Sequence, residues 1–113
     1  MKTFMLLFRQ PSFEYSSDEE YQAVTQKWQN WLKDITTQEK LEADGARLAV
    51  NGKVLKAGGV VTDGPFVELR EILGSFITIR AGNIEEATTI AHGCPSLEVG
   101  GSVEIRPLWG EDK

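Results

Sequence analysis

The sequence predicts an α+β domain with the element order βαββαβ, an antiparallel sheet and both helices on one face of that sheet. Three observations support this fold class. A short apolar strand-like segment opens the chain, two capped amphipathic segments follow at separate places, and strand-compatible stretches come after each of them. This order is that of the split βαβ, or ferredoxin-like, sandwich. A length of 113 residues fits one domain, which we assign to residues 1–113.

The first predicted strand covers residues 3–8 and is apolar on both faces. Met5 and Leu7 occupy one face, and the other carries Phe4, Leu6 and Phe8. Because both helices cover a single face of the sheet, the Met5 face needs another cover, and we expect a second copy of the chain to supply it. The sequence therefore predicts a homodimer that pairs as an α+β barrel. The alternative is that residues 51–61 fold over that face.

The first predicted helix begins after Ser17, because the run Ser17–Glu20 matches a capping box in which Glu20 reaches back to the cap. Its apolar stripe recurs at spacings of three and four, can continue to Leu41, and meets a stop signal at Asp44-Gly45. The stripe includes Tyr21, Val24, Trp28, Trp31, Leu32 and Ile35. The spacing favours core packing for the tryptophans, although Trp28 and Trp31 could instead line a cleft with Tyr21 and suit a flat aromatic ligand.

The middle of the chain is rich in turn residues. Asn51-Gly52 lies between two β-compatible segments and predicts a type I′ hairpin turn. The glycine-rich stretch that follows predicts an irregular segment with a sharp bend at Asp63-Gly64. A strand is then expected over residues 74–81, because apolar and polar side chains alternate there.

The last third of the chain predicts a short helix and a final strand. Asn83 opens a second capping pattern, and the helix is expected to end at His92-Gly93. The strand over residues 102–106 is stopped by Pro107. We expect His92 to interact with the helix C-terminal carbonyls and the macrodipole in preference to a catalytic role.

Charge and composition argue against several classes of function. With 12 Lys and Arg against 17 Asp and Glu, the net charge of −5 repels phosphate backbones and anionic membranes, so we expect no nucleic-acid or membrane partner. A single cysteine, Cys94, excludes an internal disulfide, and with one histidine it cannot form the usual zinc site. The opening apolar stretch is shorter than a signal-peptide core. We therefore expect a cytoplasmic protein, without a cofactor or metal.

The most distinctive string is TDGPFVELREILGSF, which begins at Thr62. It resembles the signature of the DGPF branch of the YCII-related family. The flanking segments KTFMLLFR, LEADGARLAVNGKVLKAGG, NIEEATTIAHGCP and GGSVEIRPL agree, so the resemblance covers nearly the whole chain. It implies a ferredoxin-like fold, dimeric assembly and a cleft beside the motif aspartate, here Asp63. The family's activity is generally unassigned, but some relatives occur with sigma factors of the extracytoplasmic-function type.

Asp63 is the candidate catalytic residue. It can serve as an acid, a base or a ligand anchor if partial burial and a charged neighbour tune its pKa. The same carboxylate can equally hold a turn by accepting backbone hydrogen bonds. The predicted ligand site comprises Asp63, Gly64, Pro65, Phe66, Arg70 and Glu71, with Arg70 as a contact for an anion. Asp63, Glu68 and Glu71 could together hold a divalent cation, but compact metal-loop spacing is missing, which favours solvated charges.

The catalytic complement of the chain is thin. Elsewhere in the YCII-related group a histidine on the first helix is thought to pair with the motif aspartate, whereas that helix here carries Trp28 and Trp31 and no histidine. Two hypotheses follow. The chain binds a small molecule, with or without catalysis by Asp63, or it is a non-enzymatic dimeric module for a protein partner in transcriptional regulation.

Overall fold

The structure is a computed structural model that describes residues 1–11, 16–49, 51–64, 67–68 and 71–110. Its elements follow one another in this order: β1 (Lys2–Gln10), α1 (Asp18–Thr37), β2 (Leu41–Arg47), β3 (Gly52–Leu55), β4 (Val61–Gly64), β5 (Val67–Glu68), β6 (Glu71–Ala81), α2 (Ile84–Ala91), a 3₁₀ helix (Pro95–Val99) and β7 (Ser102–Pro107).

The main sheet has the strand order β2-β6-β1-β7, and its neighbouring strands are antiparallel. The short strand β5 pairs with β6, while β3 and β4 form a separate two-stranded hairpin. At the centre, Leu6 lies opposite Ile77 on one side and Ile105 on the other. This arrangement confirms the predicted α+β, ferredoxin-like fold class.

The core lies between the sheet and the helices. Phe4, Leu6 and Phe8 of β1 are buried there, as their alternation predicts, together with Trp31 and Ile35 of α1. Further core residues come from β6, α2 and the segment after it: Ile77, Ile79, Ala81, Ala87, Ala91 and Cys94. On the opposite face of the sheet, Met5 and Leu7 are only partly buried.

Both helices begin at the predicted caps. The Ser17 hydroxyl accepts a hydrogen bond from the Glu20 backbone N–H at 3.1 Å, and the Asn83 side chain accepts one from the Glu86 N–H at 2.8 Å. The capping box closes differently from the prediction, because the Glu20 carboxylate accepts from the backbone and hydroxyl of Ser16. These bonds, with the hydroxyl bond as the larger cause, hold the pKa of Glu20 below its usual value.

The predicted end of the first helix is wrong. The helix stops at Thr37, Glu39 takes a positive φ of 59°, and Leu41 opens strand β2 opposite Ile79. Asp44-Gly45 lies inside β2, where the register shifts between Ala43 and Ala46 and Gly45 has a φ of 59°. The dipeptide that signalled a helix stop therefore serves as a bulge, because the left-handed backbone of Gly45 fits either role.

The predicted hairpin turn at Asn51-Gly52 is also wrong. Gly52 instead opens β3 and pairs with Gly64 at the end of β4. The chain reverses between residues 56 and 60, where Gly58 and Gly59 have φ values of 88° and 83°. These two glycines accept positive φ without steric cost, so they provide the reversal and Asp63-Gly64 becomes part of a strand instead of a bend.

Neither described helix is both long enough and apolar enough to cross a bilayer.

Candidate functional site

A cavity of about 550 Å³ opens between α1, the edge strand β2 and the middle of the sheet. It lies on the helix side, since Arg47 of β2 pairs with Ser75 of β6, and Ser75 pairs with Phe8 of the core face. Its volume falls within the range usual for small-molecule sites. Because α1 ends at Thr37, residues 41–47 are available to form strand β2, which supplies the outer wall of the cavity.

The floor of the cavity is aromatic and rigid. The ring centroids of Phe8 and Trp28 are 4.9 Å apart at an interplanar angle of 86°, and those of Trp28 and Trp31 are 5.6 Å apart at 75°. Trp31 also lies edge-to-face with Phe8 and donates its indole N–H to the carbonyl of Ile90 at 3.3 Å. Edge-to-face contacts of this kind fix ring orientations. Trp28 thus borders the cavity with little freedom to rotate.

Polar groups surround this floor. Gln10 and Ser96 are buried polar residues that line the cavity from the sheet end and from the 3₁₀ helix. Along α1, Thr25 and Gln29 are one turn apart and both line it. The cavity therefore combines an apolar floor with hydrogen-bonding groups at its sides, as binding sites for small organic molecules do.

The rim of the cavity carries two oppositely charged residues from strand β2 and one aromatic residue from α1. The Arg47 guanidinium carbon lies 5.9 Å from the centroid of the Tyr21 ring, within the range of a cation–π contact. Asp44, three positions before Arg47, also lines the cavity. A bound molecule would therefore meet one positive and one negative side chain at the entrance.

Asp63, the predicted catalytic residue, lies on the hairpin formed by β3 and β4. Its carboxylate accepts a hydrogen bond from the Lys53 ammonium at 2.9 Å across the hairpin, and its side chain is 92% exposed. Gly64 follows it in β4. Among the described residues that line the cavity, neither Asp63 nor Gly64 occurs. The predictions for Pro65, Phe66 and Arg70 concern positions outside the described residues.

Glu71, the remaining predicted ligand contact, opens strand β6. Its carboxylate accepts a hydrogen bond from the Ser102 hydroxyl at 2.7 Å, whereas Asp63 is bound to Lys53. These contacts do not join the two carboxylates. In the described part of the chain, no three acidic, histidine or cysteine side chains are grouped closely enough to hold a metal ion.

His92 and Cys94 lie at the end of α2. His92 is the C-cap residue, its backbone N–H bonds to the carbonyls of Thr88 and Thr89, and its side chain is exposed. Cys94 is a buried free thiol, and burial raises its pKa.

Sequence reasoning found part of the cavity and missed its rim. The sequence left two alternatives for Trp28 and Trp31, core packing or a cleft shared with Tyr21. Trp28 lines the cavity with Tyr21, whereas Trp31 packs in the core. Arg47 and Asp44 were not predicted as ligand contacts, because Asp44 was interpreted as part of a helix stop and Arg47 as part of a β-compatible segment before the Asn51-Gly52 turn. Leu41 pairs with the core residue Ile79, so strict alternation along a strand from Leu41 would also place Arg47 on the core side. The bulge at Gly45 interrupts this alternation, so the sequence pattern does not show it.

The fold and the cavity define the class of the molecule, a ferredoxin-like α+β domain with a ligand-sized aromatic cavity between its first helix and its sheet. Comparison with protein families gives a match to the YCII-related domain over residues 1–111. The chain therefore belongs to the YCII-related family. No curated protein sequence was found that matches it.

Proposed function

We propose that this protein binds a small, flat organic molecule in the cavity between α1 and β2. The observation that carries the proposal is the volume of about 550 Å³ combined with an aromatic floor at Trp28. Such a cavity can bury most of a small ligand's apolar surface, which provides the main driving force for binding. Gln29 and Ser75 can then fix the orientation through hydrogen bonds.

A thermal-shift screen against small aromatic compounds tests this proposal, with wild type compared with Trp28→Leu and Asp63→Ala. A ligand at one hundred times its Kd stabilises the folded state by about 2.7 kcal/mol. We expect this stabilisation to be lost in Trp28→Leu and kept in Asp63→Ala. The reverse pattern would support the ligand site predicted around Asp63, with Gly64, Pro65, Phe66, Arg70 and Glu71. Stabilisation kept in both variants would contradict both sites.

Homodimer formation is part of the proposal. Its support is the sheet face opposite the helices, where Met5, Leu7 and Phe76 are partly exposed and Phe76 lies opposite Leu7. Burial of each apolar side chain in a second copy would contribute about 1–2 kcal/mol. Light scattering should give twice the chain mass of 12.6 kDa, and Leu7→Glu should shift it to the monomer. A concentration-independent monomer mass for wild type would reject the dimer.

A catalytic role of Asp63 stands as a proposal that depends on assembly. Its carboxylate is exposed on the hairpin, so a second copy or a ligand has to cover that surface before the carboxylate can act within an enclosed site. The string from Asp63 to Phe66 also supports placing the chain in the DGPF branch of its family. Any turnover found with a cavity ligand should fall in Asp63→Asn and persist in Lys53→Gln if the carboxylate itself does the chemistry.

The second candidate function is a protein-interaction module, with a regulatory partner such as a sigma factor of the extracytoplasmic-function type. The observation that favours it is the apolar surface of the hairpin, where the side chains of Leu55, Val60 and Val61 are 72%, 55% and 54% exposed. Titration of a purified sigma factor of that type should then give binding that Val60→Ser and Val61→Ser weaken together. Binding that both variants retain would reject this surface as the contact.

A further inference from the structure

We propose that the ligand of the cavity is an aromatic monocarboxylate, with its ring system on the Trp28 floor and its carboxylate at Arg47. This inference rests on the proposed small-molecule function and adds the chemical class of the ligand. It depends on two features of the same cavity, the aromatic floor formed by Phe8 and Trp28 and the guanidinium at the rim.

The floor favours an aromatic ring over a flexible aliphatic chain. Phe8 and Trp28 lie edge-to-face with their ring centroids 4.9 Å apart. Trp28 makes a second edge-to-face contact with Trp31, at a centroid distance of 5.6 Å. A preorganised aromatic surface pays little entropy when a flat ring packs on it. Leu32 and Ile77 add to the apolar lining, so hydrocarbon beyond the two aromatic residues would also contact the ring.

The rim favours a negative group on that ring. Among the described acidic side chains, none forms an ion pair with Arg47. Its guanidinium is instead held beside the Tyr21 ring at 5.9 Å. A guanidinium binds a carboxylate through two parallel hydrogen bonds, which are stronger than bonds between neutral groups. The same guanidinium occupies the Tyr21 face, which disfavours a cationic ligand there.

The charges around the cavity favour a single negative charge over two. Asp44 lines the same cavity, and the chain carries a net charge of −5. Each added negative charge on a ligand is repelled by this field, and one guanidinium can neutralise only one unit of charge. A carboxylate therefore fits this rim better than a phosphate dianion.

Isothermal titration with four probes tests the inference: 2-naphthoate, its neutral amide, 2-naphthyl phosphate, and cyclohexanecarboxylate as the non-aromatic acid. We expect 2-naphthoate to bind at least about tenfold more tightly than each of the other three. The amide lacks the charge-assisted contact with Arg47, cyclohexanecarboxylate lacks the aromatic ring, and the phosphate carries a second negative charge. Arg47→Gln should bring the acid and the amide to equal affinity. Asp44→Asn should act in the opposite direction and tighten 2-naphthoate by about two- to threefold.

The matched control is Arg80→Gln, which removes the same charge from β6 where Arg80 pairs with Glu42, away from the cavity. It should leave the ratio between acid and amide unchanged. Equal affinities of 2-naphthoate and its amide in wild type, both lost in Trp28→Leu, would overturn the ligand class and leave the cavity function intact. Tighter binding of the phosphate or of cyclohexanecarboxylate would also overturn the class. Failure of every probe to bind at millimolar concentration would overturn the class and the cavity function together.

Discussion

Replacement of Gly45 by alanine tests how the bulge in β2 positions the rim of the cavity. Gly45 has a φ of 59°, and a Cβ built on it would lie 1.7 Å from the backbone oxygen and 2.7 Å from the carbonyl carbon of Phe76. Both distances are far inside van der Waals contact, and the obstacle is backbone that no rotamer change can move. The neighbouring strands must therefore separate by more than about 1 Å at this point.

Gly58→Ala is a matched control for the cost of the backbone conformation alone. Gly58 also has a positive φ, 88°, but an added Cβ there meets nothing within 4 Å. The left-handed conformation costs a residue with a Cβ about 1–2 kcal/mol. The steric overlap at Gly45 adds an overpacking cost of about 1–3 kcal/mol. We expect Gly45→Ala to lower the free energy of unfolding by roughly 2 kcal/mol more than Gly58→Ala.

Urea denaturation followed by circular dichroism measures both variants, and equal m-values would show that the denatured states are comparable. Destabilisation of the two variants to within about 0.5 kcal/mol of each other would refute the reasoning. The site offers a second readout. Because Gly45 lies between Asp44 and Arg47, its replacement should also weaken 2-naphthoate binding, whereas Gly58→Ala should not.

Three further predictions concern the core, the buried thiol and one ion pair. Leu6→Ala should lower the free energy of unfolding by about 3 kcal/mol and the Tm by on the order of 10 °C, because this side chain is fully buried. The control Leu55→Ala, on the exposed hairpin, should change the free energy of unfolding by less than about 0.5 kcal/mol. Cys94, whose pKa is raised by burial, should resist alkylation in the folded protein and react once urea unfolds it; rapid stoichiometric labelling without urea would contradict its burial. The Lys40 ammonium lies 2.8 Å from the Glu86 carboxylate, and its hydrogen bond lowers the pKa of Glu86. The loss of unfolding free energy in Lys40→Met should therefore be full above the usual glutamate pKa and should vanish as the pH falls through the lowered pKa. A stability difference between wild type and Lys40→Met that persists in acid would exclude this pair as its source.

Local signals in the sequence were sufficient for most of the elements. The strand at Phe4, Leu6 and Phe8 was predictable because alternation of side chains follows directly from β geometry. The helix starts at Ser17 and Asn83 were predictable because a cap is an interaction within a few residues of the chain. The element order that they define was enough to predict the sandwich.

The errors occurred where one local pattern fits two structures. Asp44-Gly45 is compatible with a helix end and with a strand bulge, and the choice was made by pairing with Phe76 on a distant strand. Asn51-Gly52 is compatible with a hairpin turn, but the two glycines at 58 and 59 reverse the chain instead. A turn signal states that a bend is allowed, whereas the partner strands decide where it forms.

The sequence by itself determined most of the elements, their order and the faces that become core, because those properties depend on the spacing of neighbouring residues. Only the tertiary structure decided the cavity that we propose as the site. It brought Arg47 of an edge strand over Tyr21 of the first helix and placed Asp63 on a hairpin away from the cavity lining. These relations depend on how β2 registers against β6, and register is fixed by packing between segments that are far apart in the chain.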